Sequence, residues 1–182
     1  DHTAFALPPR AWGDLRVRTP LVGRHQATNA ALAIAVLEYL PDELRPTAEA
    51  VQSGIRSVEY HGRDQIEVDE GGTWLFDVAH NVAGTRSLVD TIDRLELPRP
   101  LVMVVGVLGD KDWRGMLPPL FSRADQAILT QAPSAPPERR WSVRDAGDSV
   151  GTITHVTVEE DFERAMQKAR AEAGKGRGLV TG

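Results

Sequence analysis

Residues 101–112 read Leu-Val-Met-Val-Val-Gly-Val-Leu-Gly-Asp-Lys-Asp. Leu101 to Val105 is an unbroken apolar run, which predicts a strand buried on both faces rather than one with a wet side. Gly106 and Gly109 let the chain turn as it leaves that strand, and Asp112 can cap a helix beginning near Trp113. Working outward, Val82, Thr85, Leu88, Val89, Ile92 and Leu95 recur at spacings of three and four, the mark of an amphipathic helix. A strand at Trp74 to Val78 precedes that helix, and Arg63 to Asp69 alternates as a further strand before the Gly71-Gly72 turn. Downstream lie a helix at Trp113 to Phe121, a strand at Gln126 to Thr130, and a connection holding Pro133, Pro136 and Pro137. A polar stretch runs to about Ser149, then a strand at Ile153 to Val158. The next helix displays Phe162, Ala165, Met166, Ala169 and Ala173, and Leu179-Val180 opens a last strand. Strands alternating with helices predict an α/β, Rossmann-like, mostly parallel sheet with flanking helices.

The start of the chain has another texture. Phe5-Ala6-Leu7 and Leu15-Arg16-Val17 suit a hairpin around Trp12-Gly13-Asp14. Ala27 to Leu40 reads as a helix with Ala30, Ile34 and Leu37 on one face, ended by Pro41. A second helix is expected near Pro46, presenting Val51, Ile55 and Val58. The expected boundary lies near Glu59, with a hairpin and helical tail over 1–58 and an α/β domain over 59–182.

Composition narrows the function. The 182 residues carry a formal net charge of −5, which argues against a nucleic-acid partner. There is no cysteine, so disulfides, thiolate catalysis and thiolate metal sites are excluded. No apolar run reaches the roughly 20 residues of a membrane span, and no signal peptide is visible. A soluble, cytoplasmic protein without a membrane partner is expected. Both ends read as cut, since Asp1 is not a start residue and a strand is in progress at Val180-Thr181-Gly182.

In α/β sheets, ligands bind where strand carboxyl ends meet helix amino termini. Asp77-Val78-Ala79-His80-Asn81 falls at such a junction. A carboxylate there suits a ribose diol, with His80 in local reach; the plainer reading is that Asp77 or Asn81 caps the helix. Lys111 offers a point charge to a phosphate or carboxylate, against the plainer reading of a solvated lysine. Asn29 can pair through its amide with an adenine edge; a cap made by Asn29 or Thr28 is the alternative. His25 reads as a core or loop histidine. Arg63, after Gly62, offers a fork of donors to phosphates, or is an ordinary surface arginine. Gly174-Lys175-Gly176-Arg177-Gly178 looks like a phosphate loop but follows a helix and precedes a strand, so it reads as a turn. No histidine cluster has metal-ligand spacing and no Gly-x-Ser-x-Gly elbow exists, so no metal ligands are assigned here.

Taken together, Leu21-Val-Gly-Arg-His-Gln-Ala-Thr-Asn-Ala-Ala31, Gly62-Arg63, Phe76-Asp-Val-Ala-His-Asn81, Gly106-Val-Leu-Gly-Asp-Lys-Asp112 and Val180-Thr-Gly182 resemble the folylpolyglutamate synthase/dihydrofolate synthase family of the Mur ligases. His61 departs from the proline that the family often carries before Gly-Arg. The resemblance implies a two-domain, ATP- and Mg2+-dependent ligase that is monomeric. Its phosphate loop and magnesium ligands would sit in an amino-terminal ATPase domain, of which 1–58 is the tail. It implies that Asn29 contacts adenine, Arg63 the ATP phosphates and Asp77 the ribose, the two bodies swinging together about Gly62. His80 and Lys111 fall in matching motifs as catalytic candidates. The implied reaction converts a carboxylate of dihydropteroate or folate to an acyl phosphate, which the amine of L-glutamate attacks. No phosphate loop occurs in these 182 residues, so by themselves they are expected to be inactive. A peptidoglycan-type Mur ligase domain and a non-catalytic nucleotide-binding module are the competing readings.

Overall fold

The structure is a computed structural model and describes residues 3–8, 11–69, 72–150, 155–174 and 177–181. It divides into two compact units, residues 1–63 and 64–182.

In the first unit, β1 (Thr3–Leu7) pairs antiparallel with β2 (Leu15–Thr19), placing Phe5 opposite Val17. Alternation along β2 buries Leu15, Val17 and Thr19 and exposes Arg16 and Arg18. The buried face meets α1 (Arg24–Glu38) and α2 (Ala48–Arg56) in a small core of Leu15, Val17, Ile34 and Val51. The first helix starts three residues before the expected Ala27. Gly23 occupies its cap with φ 102 and no side-chain bond, so neither Thr28 nor Asn29 caps it. Only glycine adopts that backbone freely. The expected second helix begins after Thr47, whose side chain accepts from the Ala50 N–H. Val58 lies beyond its end.

The second unit is a six-stranded sheet in the order β3-β4-β8-β5-β6-β7. Its members are β3 (Gln65–Asp69), β4 (Gly72–Asp77), β5 (Leu101–Val105), β6 (Gln126–Leu129), β7 (Val156–Val158) and β8 (Arg177–Thr181). Only the β3–β4 pair is antiparallel. The apolar run of β5 does what its composition demands. Leu101, Met103 and Val105 join a core with α3 (Val82–Leu95), α4 (Trp113–Phe121) and α5 (Val143–Ser149). Val102 and Val104 join a second core with α6 (Phe162–Ala173) on the opposite face.

Small residues let α6 approach closely, since Ala165, Ala169 and Ala173 are its buried positions. Trp74 shares that core, and a side chain at Gly178 of β8 would collide with its indole ring. That position therefore admits only glycine. Part of the strand expected at Ile153 to Val158 and the centre of the Gly174–Gly178 turn lie outside the described residues.

Candidate functional site

The helices and strands converge on one working edge. β4, β8 and β5 run parallel, and their register sets Asp77, Thr181 and Val105 in a row at the carboxyl ends. The loops leaving β4 and β5 therefore rise from the same side of the sheet. The Gly106 N–H donates to the Thr181 carbonyl at 3.0 Å, which ties the second loop's first residue to the central strand.

Asp77 is 9% exposed. Its Oδ1 accepts from the Ala79 N–H at 2.7 Å and its Oδ2 from the Asp64 N–H at 3.1 Å. It does not cap α3. Asn81 does, accepting from the Gly84 N–H at 2.7 Å, so one of the two capping alternatives holds. His80 between them is exposed, and its Nδ1 lies 3.0 Å from the Val78 carbonyl. A ring N–H donated there leaves Nε2 as the free nitrogen of the neutral imidazole.

The second loop is held by backbone and side chains together. Gly109 N–H donates to the Arg139 carbonyl at 2.7 Å, and Leu108 bridges Arg140. A Cβ at Gly109 would stand 2.8 Å from the Arg140 carbonyl oxygen, so the loop closes only with glycine there. Asp112 caps α4 through the Gly115 N–H at 3.1 Å. Lys111 Nζ stands 3.4 Å from Asp110, whose carboxylate also takes Arg139 at 2.9 Å. The Arg139 guanidinium beside Asp110 holds its carboxyl below the usual range.

Asn29 lies in the second turn of α1, exposed, with its Nδ2 donating to Gln26 Oε1 at 3.2 Å. Gln26 in turn meets His25 at 2.9 Å. Among the described residues the Asn29 Oδ1 and its remaining N–H meet no protein partner, so its amide edge keeps one acceptor and one donor. Arg63 sits over the Tyr60 ring at 5.6 Å. Asp77, His80 and Lys111 thus belong to neighbouring loops of the second unit, whereas Asn29 and Arg63 belong to the first.

Sequence reasoning passed over Asp64. It is 1% exposed, adopts φ 48, and accepts from the Thr91 hydroxyl at 3.2 Å. The signal was a carboxylate directly after Gly62-Arg63, masked because the arginine drew the chemical reading. Arg139 was also missed; nothing in its local sequence points to a partner 29 positions earlier. Among the described residues no three His, Asp or Glu side chains gather as a metal cage, and no helix is long and apolar enough to cross a membrane.

The family model described as Mur ligase, glutamate ligase domain, matches residues 62–182. A dihydrofolate synthase/folylpolyglutamate synthase of Mycobacterium tuberculosis is 37% identical over 61% of this chain and 23% of its own length. The Escherichia coli enzyme of the same description is 37% identical over 79% of this chain and 33% of its own length. The chain thus spans a third or less of these relatives. Among solved structures, the Mycobacterium tuberculosis folylpolyglutamate synthase complexed with ADP superposes with a TM-score of 0.77 at 30% identity, covering 94% of this chain and 40% of that one. An Escherichia coli structure holding DHPP and ADP superposes with a TM-score of 0.74 at 29% identity, covering 93% of this chain and 38% of that one. With the motif-bearing loops of 77–81 and 106–112 inside the matched span, the chain belongs to the Mur ligase, glutamate ligase domain family, in its folylpolyglutamate synthase/dihydrofolate synthase branch.

Proposed function

We propose that this chain is the glutamate-ligase part of an ATP-dependent enzyme that joins L-glutamate to dihydropteroate, to a folylpolyglutamate tail, or to both. The carrying observation is the row of Asp77, Thr181 and Val105, which brings the two motif loops to one edge of the sheet. Residues 1–58 act as the tail of the ATPase domain. In support, α1 exposes Leu32 and Val36 at 66% and 59%, and its C-cap residue Tyr39 at 90%, while burying Ile34; a helix apolar on several sides belongs in a larger core.

In this reading the Asn29 amide meets the adenine edge, Arg63 lends its fork to the phosphates, and Asp77 takes the ribose. Lys111 leaves its long 3.4 Å contact with Asp110 to hold a carboxylate or phosphate as a point charge. His80 Nε2 accepts the proton that the glutamate amine loses as it attacks the acyl phosphate. Magnesium, when bound, neutralises phosphate charge. In this reading the ion's ligands belong to the ATPase domain. A monomeric, cytoplasmic enzyme completes the proposal.

Two measurements test it. Titrating the 182-residue chain with ADP and with L-glutamate should shift the backbone amide resonances of 77–81 and 106–112; silence of both loops at millimolar ligand sinks the reading. The chain alone should show no ATP turnover, because transition-state charge in phosphoryl transfer needs a phosphate loop that its sequence lacks. In an enzyme joining this chain to a phosphate-loop domain, Asn29→Ala should raise the apparent KM for ATP and spare kcat, as loss of uniform binding does.

A further inference from the structure

The outer side of the amino-terminal hairpin gathers positive charge. Arg16 and Arg18 alternate outward from β2. Helix α2 runs beside that strand, and Gln52 Nε2 donates to the Arg16 carbonyl at 2.9 Å. Arg56, one helical turn beyond Gln52, is thereby brought to the same place. Arg16, Arg18, Gln52 and Arg56 line a cavity of about 200 Å³, and no acidic residue is among them.

Several other arginines of the molecule are engaged. Arg99, Arg123 and Arg139 each bind a carboxylate, and Arg63, Arg114 and Arg170 lie over aromatic rings. The three at the cavity form neither kind of contact with the described residues. Guanidiniums sharing so small a space lie within a Debye length, about 8–10 Å in physiological salt, and repel one another. An oxyanion placed among them reverses that repulsion, and each planar fork matches a carboxylate or phosphate edge.

We propose that this cavity binds a short polyoxyanion, a small molecule bearing several carboxylates or phosphates. At about 30 Å³ per water, 200 Å³ holds six or seven waters. That is room for one or two oxyanion groups, with the rest of the molecule lying along the surface. It is less than the roughly 300–1,000 Å³ that encloses a whole drug-sized ligand. A nucleic acid would need a longer basic stripe than three arginines on a chain of net charge −5. The site stands independently of the ligase reading; if that reading holds, a γ-linked glutamate tail is a ready source of such carboxylates.

Isothermal titration of the whole chain with tri-γ-glutamate, and separately with inorganic tripolyphosphate, tests the site. Binding that weakens as salt is added and falls about tenfold or more in Arg16→Gln/Arg18→Gln/Arg56→Gln supports it, tenfold being the loss of a single good contact. The substituted side chains are all exposed, and circular dichroism checks that the variant folds. Single substitutions by lysine, which keep charge but lose the fork, should weaken binding less than glutamine does. A response to tri-γ-glutamate alone assigns a carboxylate source, and one to tripolyphosphate alone a phosphate source. No binding of either at millimolar concentration, or binding that the triple variant leaves unchanged, overturns the proposal.

Discussion

At the amino end of the sheet, Asp125 accepts from the Leu101 N–H at 2.6 Å and from Arg99 at 3.0 Å, while Arg123 grips Asp93 with two bonds of 2.8 Å. At the carboxyl end, Asp77, Asn81 and Asp112 accept from backbone N–H groups. One end spends its side-chain charges largely on one another. At the other, Asp110 pairs with Arg139 but Asp77, Asn81 and Asp112 fix loop backbone, which leaves the His80 ring at the surface and Lys111 with one long ion-pair contact. A rim prepared for ligands needs a rigid backbone and side chains with capacity to spare, and only the carboxyl end has both.

This contrast can be broken most readily at Asp77. Replacing it by alanine orphans the N–H groups of Ala79 and Asp64, and should cost about 3 kcal/mol from two lost charge-assisted bonds. Urea unfolding measures it; a loss below about 1 kcal/mol would mean that the carboxylate does not brace the loop. Asp125→Ala, at the amino end, should cost less, about 1–2 kcal/mol, because one backbone bond goes with an exposed ion pair of small worth.

Acid sharpens the same comparison. The Arg123 guanidinium holds Asp93 below its ordinary value of 3.8. Burial works against the charged form of Asp125, but the Leu101 N–H and Arg99 outweigh it, so this carboxyl is lowered as well. Carboxyls lowered by folding stabilise the native state above their unfolded values and lose that contribution as pH falls through the folded ones. Thermal midpoints should therefore hold steady down to about pH 4 and decline below it. Asp93→Asn and Asp125→Asn should each flatten the decline, and an unchanged slope in both would remove these pairs from the acid response.

The smallest effect on stability is expected at His80. Its exposed ring makes one local contact with the Val78 carbonyl, so His80→Ala should change the unfolding free energy by less than about 0.5 kcal/mol. The glutamate-induced shifts of the 106–112 amides should nonetheless weaken. A destabilisation as large as that of Asp77→Ala would make His80 part of the scaffold.

Much of this was legible in the residues themselves. The β5 run, the spacing along α3 and the alternation in β2 all report burial through periodicity, and burial is what sequence pattern encodes most directly. Asn81 and Asp112 were legible as caps because capping is decided within four residues. The onset of α1 was not, because Gly23 starts it with a backbone angle instead of a side-chain bond. Asp77 resisted for a different reason. A ribose contact and a backbone brace call for the same residue type, and the Asp64 N–H that it binds comes from 13 positions earlier.

By itself the chain determined its alternating elements, its two-sided central strand and the loops that carry its chemistry, since each follows from hydrophobic period and turn residues within a short window. Tertiary structure alone decided that β8 enters between β4 and β5, and that Gly178 yields its space to Trp74. It also gathered Arg16, Arg18 and Arg56 around one cavity. Strand order and side-chain convergence depend on contacts between segments far apart in sequence, and no local window contains both partners.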